Sequence, residues 1–289
     1  MNHPDVSIAV IGGSGVYDFP GLTEAGDHRI ETPFGAPSDL IRVGKLHGKS
    51  VAFLPRHGRH HTLAPPVLPH RANIYALKSL GVKWIISLSA VGSLKESLIP
   101  GHFVIPLQFF DRTKNSRHHS FFEEGIVAHV SFGDPVCSRL AALLYQAASS
   151  AGVQCHWGGT YVNMEGPVFS TRAESDFHRA MGFDVVGMTN LAEAKLAREA
   201  EISYATVAMV TDYDCWHQSL AEVNVSDVIN ILHDNAALAA ETVQRVVVSL
   251  STTEETAAHR ALHHAFATPR AHWDPLQIER LSPLIHKYL

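Results

Sequence analysis

Two carboxylates follow a strand-like run in the C-terminal third of the chain. Residues 205–210 read Ala-Thr-Val-Ala-Met-Val, and Asp212 and Asp214 come just after them, two residues apart. On an extended backbone this spacing directs both side chains to the same side. Like charges at that separation repel, so the pair does not favour folding. The spacing is compatible with a solvated strand end, where Asp is a common turn residue, and also with a ligand that offers hydrogen-bond donors.

Four other segments follow strand-like runs and carry groups that bind anions: Gly12–Gly15, Pro55–Gly58, Leu88–Gly92 and Gly187–Asn190. Ser14 offers a hydroxyl among glycines whose N–H groups can approach an anion. Arg56 suits bidentate contact with phosphate, and His57 can donate beside it. Ser89 and Thr189 add two more hydroxyls. Each segment alone is compatible with a ligand-free turn or a surface pair. Ligands bind beyond the carboxyl ends of strands in open α/β sheets. The repetition of anion-binding segments after strands therefore predicts a phosphate site.

A phosphate site beside a carboxylate pair favours phosphorolysis of a purine nucleoside. Phosphate would attack C1′ while the glycosidic bond stretches, and the base leaves as an anion unless N7 is protonated. A protonated Asp at N7 would act as general acid, a role that typically contributes about 10²–10⁴-fold in rate. An exocyclic amine on the purine would supply the donor that the second carboxylate accepts.

Strand-like and helix-like segments alternate along the chain, which predicts an α/β fold with a mixed, mostly parallel central β-sheet flanked by helices. Buried-strand patterns cover residues 6–11, 40–46, 51–54, 84–88, 103–105, 160–164, 184–186 and 204–210. Helical patterns cover residues 71–80, a segment that starts at Pro135, and residues 172–181, 191–200 and 225–250. We expect one domain over residues 1–289, with a core of about 5–250 and a C-terminal helical tail, residues 251–289, that docks on it.

Composition excludes several functional classes. The chain has 23 Lys and Arg against 28 Asp and Glu, with no basic block, which argues against nucleic acid or a membrane surface as partner. The N-terminus has no signal-peptide pattern, and no run of 18 apolar residues occurs. The three cysteines, Cys137, Cys155 and Cys215, are odd in number and widely spaced, which favours a reducing cytoplasm.

Histidine is abundant, with 20 residues, so a metal site was considered. The clusters are His57 with His60 and His61, the pair at 118–119 and the pair at 263–264. None has the His-Glu-x-x-His spacing or an accompanying set of cysteines. We therefore predict no metal site.

Several segments taken together resemble the methylthioadenosine phosphorylase branch of the trimeric purine nucleoside phosphorylase family. They are residues 8–15 (IAVIGGSG), 32–38 (TPFGAPS), 56–62 (RHGRHHT), 71–77 (RANIYAL), 164–174 (MEGPVFSTRAE), 188–189 (MT) and 208–216 (AMVTDYDCW). They occur in the family's order over residues of about 5 to 250. The chain departs from the family pattern at Ser14, Ser89, Val168 and Ala192.

The resemblance implies a role for each matching position. Asp214, Ser89 and His57 would be catalytic, with Asp214 at N7 of the purine and Asp212 at its 6-amino group. The implied phosphate site consists of Ser14, Arg56, His57, Ser89, the backbone of Ala90, and Thr189. The other implied substrate contacts are Met188 at the ribose, Phe169 and Ser170 at the purine, and His129, Val225 and Val228 around the 5′ substituent.

Two positions indicate the substrate. Relatives for 6-oxopurines carry Asn where this chain has Asp212, whose carboxylate accepts from a 6-amino group but faces an oxo group unfavourably. Relatives for 5′-hydroxyl nucleosides carry His where Val225 stands, and valine packs against a thiomethyl group instead. The resemblance therefore implies phosphorolysis of 5′-methylthioadenosine to adenine and 5-methylthioribose 1-phosphate, in purine and methionine salvage.

The resemblance also implies phosphate as co-substrate without a cofactor, and a homotrimer, or a dimer of trimers, whose neighbouring subunits complete the pockets. One alternative is a broader purine nucleoside phosphorylase acting on adenosine, inosine or methylthioinosine. Another is a dinucleotide-binding module that uses the glycine turn. That module needs the full Gly-x-Gly-x-x-Gly spacing, which the glycine turn lacks, and an acid at the end of the next strand. Glu31 is near the required distance but lies beside a turn-like Thr-Pro instead of at a strand end.

Overall fold

The computed structural model of the protein describes residues 6–13, 19–114, 119–217 and 225–289. Its described strands are β1 (Ile8–Gly12), β2 (Thr23–His28), β3 (Ile41–Leu46), β4 (Lys49–Pro55), β5 (Trp84–Ser93), β6 (Phe103–Ile105), β7 (Gln108–Arg112), β8 (Cys155–Trp157), β9 (Thr160–Met164), β10 (Val185–Gly187) and β11 (Ser203–Asp212). Its described α-helices are α1 (His70–Ser79), α2 (Ser138–Ser150), α3 (Arg172–Ala180), α4 (Asn190–Glu199), α5 (Val225–Ser249), α6 (Pro275–Arg280) and α7 (Ser282–Ile285).

The strands form one mixed sheet, with the order β2-β3-β4-β1-β5-β10-β9-β7. The strand β5 is its centre: it pairs in parallel with β1 and β11 and in antiparallel with β10. Strand β11 also pairs with β6, and β6 pairs with β8. The mixed, mostly parallel sheet flanked by helices confirms the predicted fold class.

Helices cover both faces of the sheet because the central strands are apolar on both sides. In β1, Ala9 and Ile11 join the core that includes α1, α4 and the tail, whereas Ile8 and Val10 join the core that includes α2 and α5. This alternation follows from the two-residue period of a strand, and burial on both faces explains the continuous apolar run.

The sequence pattern located most of these elements within a few residues and missed three strands. Strand β2 is largely exposed and polar, β7 is largely exposed, and β8 has only three residues, so none has a buried-strand pattern. The prediction that a helix starts at Pro135 was wrong, since α2 begins at Ser138. Strand β5 extends to Ser93 although residues 89–93 have a turn-like composition, because β11 and β10 supply its backbone partners.

The tail packs against the core through several contacts. Leu262, Trp273 and Ile285 lie in the core that includes α1 and α4. Glu201, whose side chain is buried, accepts hydrogen bonds from Leu262 N at 3.0 Å and from Tyr288 Oη at 2.6 Å. Lys287 Nζ lies 2.6 Å from the other carboxylate oxygen of Glu201. The tail is therefore held by both apolar burial and a buried acceptor.

The described ranges lack both a membrane-spanning helix and a cluster of metal-binding side chains. In that part of the chain no helix is long and apolar enough to cross a membrane. The same residues contain no group of three or more His, Cys, Asp and Glu side chains placed to hold a metal ion.

Candidate active site

Arg56 lies where β1 and β4 end, beside the middle of β5. It follows β4, its backbone N–H donates to Gly12 O at the end of β1 (2.8 Å), and its Nη1 donates to Leu88 O of β5 (3.1 Å). Its Nη2 donates to Ser87 Oγ at 2.7 Å. The side chain is only 3% exposed, so Arg56 is not a surface residue. Its position at the carboxyl ends of the strands agrees with the place where α/β sheets bind ligands.

Glu193 on α4 holds the Arg56 guanidinium. The Glu193 carboxylate accepts from Arg56 Nε through one oxygen, and from Nη2 at 3.1 Å through the other. Ser87 Oγ and Tyr204 Oη also donate to Glu193, each at 2.9 Å. Burial alone opposes both charges, but their attraction outweighs it, so the pKa of Arg56 is raised and that of Glu193 is lowered. The buried pair fixes Arg56 as a permanent cation.

His57, which follows Arg56, is held in one tautomer. Its Nδ1 lies 2.8 Å from Leu63 O, and because a carbonyl only accepts, Nδ1 carries the proton and donates. Burial and the neighbouring Arg56 lower the pKa of His57 to about 4. The neutral ring therefore presents Nε2 as an acceptor, and it stacks on His61 with ring centroids 4.3 Å apart. A neutral acceptor of this kind suits the hydroxyl of a protonated phosphate.

Ser89 and Thr189 lie close to one another through shared partners. Ser89 Oγ lies 3.4 Å from Tyr161 Oη, and Tyr161 Oη donates to Asn190 Oδ1 at 3.3 Å. Thr189 Oγ1 donates to the same Asn190 oxygen at 3.1 Å. Thr189 is the N-cap residue of the ten-residue helix α4, and helix N-termini favour anions. Both hydroxyls are buried with Arg56, as a phosphate site requires.

The two carboxylates do not lie on an extended backbone, and that prediction was wrong. Strand β11 ends at Asp212, and Asp214 has a positive φ of 52° in the turn that follows. Asp214 N donates to Asp212 Oδ1 at 2.7 Å, and Thr211 Oγ1 donates to Asp212 Oδ2 at 2.8 Å. Burial raises the pKa of Asp212 and the pKa of Asp214. The local turn therefore gives the two acids different surroundings.

The end of β5 and the loop after β9 enclose the carboxylates. A Cβ built at Gly92 would lie 2.9 Å from Asp212 Oδ1 and 3.3 Å from Asp214 Cβ, so the strand backbone lies against both acids. Cys215 Sγ donates to Ser170 O at 3.3 Å, which places the loop that carries Phe169 and Ser170 beside the same turn. Phe169 is 40% exposed, which leaves its ring accessible to a ligand.

Met188 joins the two halves of the site. It lies between β10 and Thr189, and a Cβ built at Gly166 would be 2.6 Å from its sulfur. It also lines a cavity of about 60 Å³ together with Asn163, His70 and His119. A larger groove of about 430 Å³, at residues 29–40, contains none of the predicted site residues.

The remaining predicted residues are on other segments or outside the described part. Val225 and Val228 are in the first turn of α5, with Val225 59% exposed. His129 is exposed. Its backbone N–H donates to Ala265 O, so the segment around His129 is hydrogen-bonded to the tail. Ser14 lies outside the described residues.

The sequence did not predict the residues that orient the candidate phosphate ligands. Glu193, Ser87, Asn190 and Thr206 are buried, and Asn190 Nδ2 donates to Thr206 Oγ1 at 2.6 Å. One signal was present: Glu193 stands on a helix among Leu and Ala residues that face the core. A carboxylate in that position needs a buried cation, and Arg56 is the buried cation that meets it.

Comparison with known proteins agrees with this geometry. The family model described as the phosphorylase superfamily matches residues 7–251. The S-methyl-5′-thioadenosine phosphorylase of Geobacter sulfurreducens is 50% identical over 98% of this chain and 99% of its own. That of Chloroflexus aurantiacus is 52% identical over 98% of each chain.

Solved structures give the same result. A methylthioadenosine phosphorylase sourced from an antarctic soil metagenomic library superimposes with a TM-score of 0.92, at 49% identity, over 98% of this chain and 99% of the other. The Schistosoma mansoni methylthioadenosine phosphorylase in complex with adenine superimposes with a TM-score of 0.84, at 35% identity, over 89% of this chain and 96% of the other. The strand-end site, the family match and these likenesses agree, and the chain belongs to the phosphorylase superfamily.

Proposed function

We propose that the protein is an S-methyl-5′-thioadenosine phosphorylase, a pentosyltransferase that converts 5′-methylthioadenosine and phosphate to adenine and 5-methylthioribose 1-phosphate. The relatives that carry this name match nearly the full length of the chain at about half identity. The observation that carries the proposal most directly is the buried Asp212–Asp214 turn lying against β5, the strand whose Ser87 and Leu88 accept hydrogen bonds from Arg56. The reaction belongs to purine and methionine salvage.

In this proposal Arg56, Ser89 and Thr189 bind phosphate, with Ser14 and the backbone of Ala90 completing the site. Arg56 remains charged because Glu193 compensates it. On phosphate binding the Thr189 hydroxyl would turn away from Asn190 Oδ1, and the Ser89 hydroxyl away from Ala90 O, so that both donate to phosphate. The neutral His57 accepts from a phosphate hydroxyl through Nε2, since its Nδ1 proton is committed to Leu63 O. Such donors act in a site from which water is largely excluded, where electrostatic stabilisation is strongest.

Asp214 acts as general acid at N7 of the base. Burial raises its pKa, which favours the protonated form that donation requires. As the bond from C1′ to the base breaks, its electron pair moves into the purine and N7 receives the Asp214 proton. Phosphate then bonds to C1′, with Met188 beneath the ribose.

Asp212 sets the choice of base in this account. Its two oxygens already accept from Asp214 N and Thr211 Oγ1, which fixes the carboxylate, and a remaining lone pair accepts from a 6-amino group. Phe169 and Ser170 lie beside the same turn and contact the purine. Val225 and Val228 receive the thiomethyl group, because neither can hydrogen-bond a 5′-hydroxyl.

We further propose a cytoplasmic homotrimer that needs no cofactor. His129 is exposed, and its segment is hydrogen-bonded to the tail. This placement would allow His129 to reach the 5′ pocket of a neighbouring subunit. Leu276 in the tail is 74% exposed, which supports contact with another subunit. Phosphate is the nucleophile and Asp214 supplies the proton, so the chemistry requires no metal. Sedimentation velocity tests the trimer, and activity after dialysis against a chelator tests the absence of a cofactor.

A substrate panel tests the proposed function. Methylthioadenosine, adenosine, inosine and methylthioinosine are each incubated with the protein and phosphate, and the free base is quantified. We expect the highest kcat/KM for methylthioadenosine and a large loss for both 6-oxopurine substrates. Comparable values for inosine would instead indicate a broad purine nucleoside phosphorylase.

A further inference from the structure

The turn that carries Asp214 is tied to β5 at both of its ends. At its start, Asp212 is the last residue of β11 and pairs with Gly92 of β5. Two residues beyond Asp214, the indole Nε1 of Trp216 donates to the main-chain oxygen of Ser93 at 2.7 Å. Because Gly92 and Ser93 are neighbours in β5, adjacent residues of one strand hold the two ends of the turn. The place of Asp214 between them depends on the Trp216 bond as well as on the strand pairing.

The Trp216 side chain is itself held on both sides. It is 7% exposed and packs in a small apolar core with Leu94, Val162 and Val186. Arg179 of α3 covers the indole, with its guanidinium carbon 3.6 Å from the ring centroid, a cation–π arrangement. Arg179 Nε also donates to the main-chain oxygen of Leu94, the residue that follows β5, at 3.3 Å. The indole is therefore fixed between the core and α3.

A second side chain of the turn, Tyr213, makes a weaker tie. Its Oη donates to Glu96 O at 3.2 Å, in an exposed position, and its ring packs edge-on against Trp216 with centroids 5.7 Å apart. The bond from Trp216 to Ser93 is shorter and buried. A buried acceptor that loses its donor is not compensated by water, whereas an exposed one is. Trp216 is thus the stronger restraint on the turn beyond β11.

The two acids depend on these restraints to different degrees. Asp212 belongs to the strand ladder, so the pairing of β11 with β5 fixes its backbone. Asp214 lies outside the ladder with a φ of 52°, a conformation that is uncommon for residues other than glycine and that the surroundings must maintain. A general acid must also lie within hydrogen-bond reach of the atom that it protonates. A tie on the far side of Asp214 therefore bears on proton transfer.

We propose that Trp216 is the positioning residue of the general acid, holding Asp214 at N7 of the purine through the indole bond to Ser93. The proposal rests on the proposed function and adds to it the residue that keeps the acid in place. Trp216 acts through the backbone of the turn. The choice of base depends on Asp212 and its pairing with Gly92, so loss of the indole donor slows the chemistry and leaves that choice intact.

The test is Trp216→Phe, which removes the N–H donor and keeps an aromatic ring next to Arg179. We expect kcat for methylthioadenosine to fall by roughly tenfold to a hundredfold, because general acids contribute about 10²–10⁴-fold and a misplaced reacting group loses part of that. KM for phosphate should be nearly unchanged, since Arg56 and Thr189 lie outside the turn. The ratio of kcat/KM for methylthioinosine over methylthioadenosine should stay within about threefold, because both bases are protonated at N7.

Trp273→Phe is the matched control. Trp273 is also 7% exposed, and its Nε1 donates to a main-chain oxygen, that of Thr268, at 2.9 Å. Each variant therefore removes one hydrogen bond from a buried indole to the backbone, and thermal unfolding should show similar losses of stability. Trp273 lies in the tail, so Trp273→Phe should keep the wild-type kcat while Trp216→Phe loses it.

A double variant separates positioning from a general structural effect. In an Asp214→Asn background, Trp216→Phe should cause little further loss of kcat, because the acid that it positions is gone. A merely structural Trp216 would lower kcat by the same factor in both backgrounds. Arg179→Met tests the same restraint from the exposed side of α3, since it removes the cation over the indole. It should give a smaller loss of kcat, again with an unchanged ratio between the two substrates.

Three results overturn the proposal: a wild-type kcat in Trp216→Phe, an equal loss of kcat in Trp273→Phe, or an additive loss in the Asp214→Asn background. If Trp216→Phe does not fold, an unchanged kcat in Arg179→Met overturns it. All of these leave the phosphate-dependent release of adenine by the wild-type protein untouched, so failure here is distinguishable from failure of the proposed function.

Discussion

Asp212 and Asp214 differ because a turn, not a strand, separates them. The positive φ at Asp214 brings its N–H onto Asp212, which fixes Asp212 as an acceptor. Burial raises the pKa of Asp214, and the nearby Ser175 and Ser170 hydroxyls offset that rise only in part. We propose that the same residue type therefore performs two tasks: Asp212 selects the base and Asp214 protonates it.

Asp212→Asn should change the preferred base. Asn keeps one oxygen to accept from Asp214 N and replaces the other oxygen with an amide donor, while the Thr211 hydroxyl can turn to accept. The donor then faces the 6-position and favours an oxo group over an amino group. We expect the ratio of kcat/KM for methylthioinosine over methylthioadenosine to rise by roughly 10²-fold or more. An unchanged ratio would show that Asp212 does not contact the base edge.

At the residue scale the sequence predicted candidate ligand-facing groups but not the residues that support them. Arg56 and His57 were predicted from residue type and position after a strand, and the structure buries both. Glu193 was not predicted, because it lies 137 residues from Arg56 and only the fold brings them together. The extended geometry of Asp212 and Asp214 was wrong because a backbone turn overrides the two-residue period at a strand end.

At the scale of elements, the site depends on α4 reaching both Arg56, just after β4, and Ser87 in β5. The helix carries Glu193 to Arg56 and presents Thr189 at its N-terminus. The strand pattern predicted β4 and the helical pattern predicted α4. Neither pattern could predict that α4 meets Arg56, which depends on a sheet order in which β1 separates β4 from β5.

Glu193→Gln should weaken both folding and phosphate binding. The variant leaves the Arg56 charge buried without its counterion, and breaking a buried pair in this way costs about 3–5 kcal/mol. Arg56 also loses its fixed orientation, so KM for phosphate should rise more than KM for the nucleoside. Denaturant unfolding and initial rates at varied phosphate measure the two effects.

Asp111→Asn is the control for Glu193→Gln. It removes a partly exposed ion pair with Lys195, which is worth roughly 1 kcal/mol or less. Equal losses of stability in the two variants would contradict the importance given to the buried pair.

Gly92→Ala should displace both acids without touching substrate itself. Its Cβ would lie 2.9 Å from Asp212 Oδ1 and 3.2 Å from Val186 Cγ1, closer than side chains normally approach. A shift of about 1 Å at a reacting group can cost on the order of 10²-fold in rate, which is the loss we expect in kcat. Gly133→Ala, where a Cβ meets nothing within 4 Å, should retain wild-type activity. Full activity in Gly92→Ala would show that the carboxylates tolerate displacement.

For the whole molecule, Glu199 links folding to pH. At the end of α4 it accepts from Ser120 Oγ at 2.8 Å and from Phe121 N at 2.7 Å, and so ties a distant loop to the core. Burial raises the pKa of Glu199 to about 7. An unfolded Glu ionises at lower pH, so its contribution to stability is complete below about pH 4.5 and is lost as pH rises towards 7.

Glu199→Gln should remove this pH dependence. Relative to the wild type, the unfolding free energy of the variant should therefore increase between pH 5 and pH 8, by an amount on the order of 2–3 kcal/mol. Glu241→Gln, on the exposed face of α5, is the control and should show little change. Parallel stability curves for wild type and Glu199→Gln would mean that Glu199 ionises normally in the folded protein.

The central claim is that phosphate, not water, takes the ribose from the base. Adenine release from methylthioadenosine, measured with and without inorganic phosphate in phosphate-free buffer, tests it most directly. The account predicts that release saturates with phosphate, yields one 5-methylthioribose 1-phosphate per adenine, and falls to background when phosphate is omitted. Adenine release at the same rate without phosphate, with free methylthioribose as product, would contradict it.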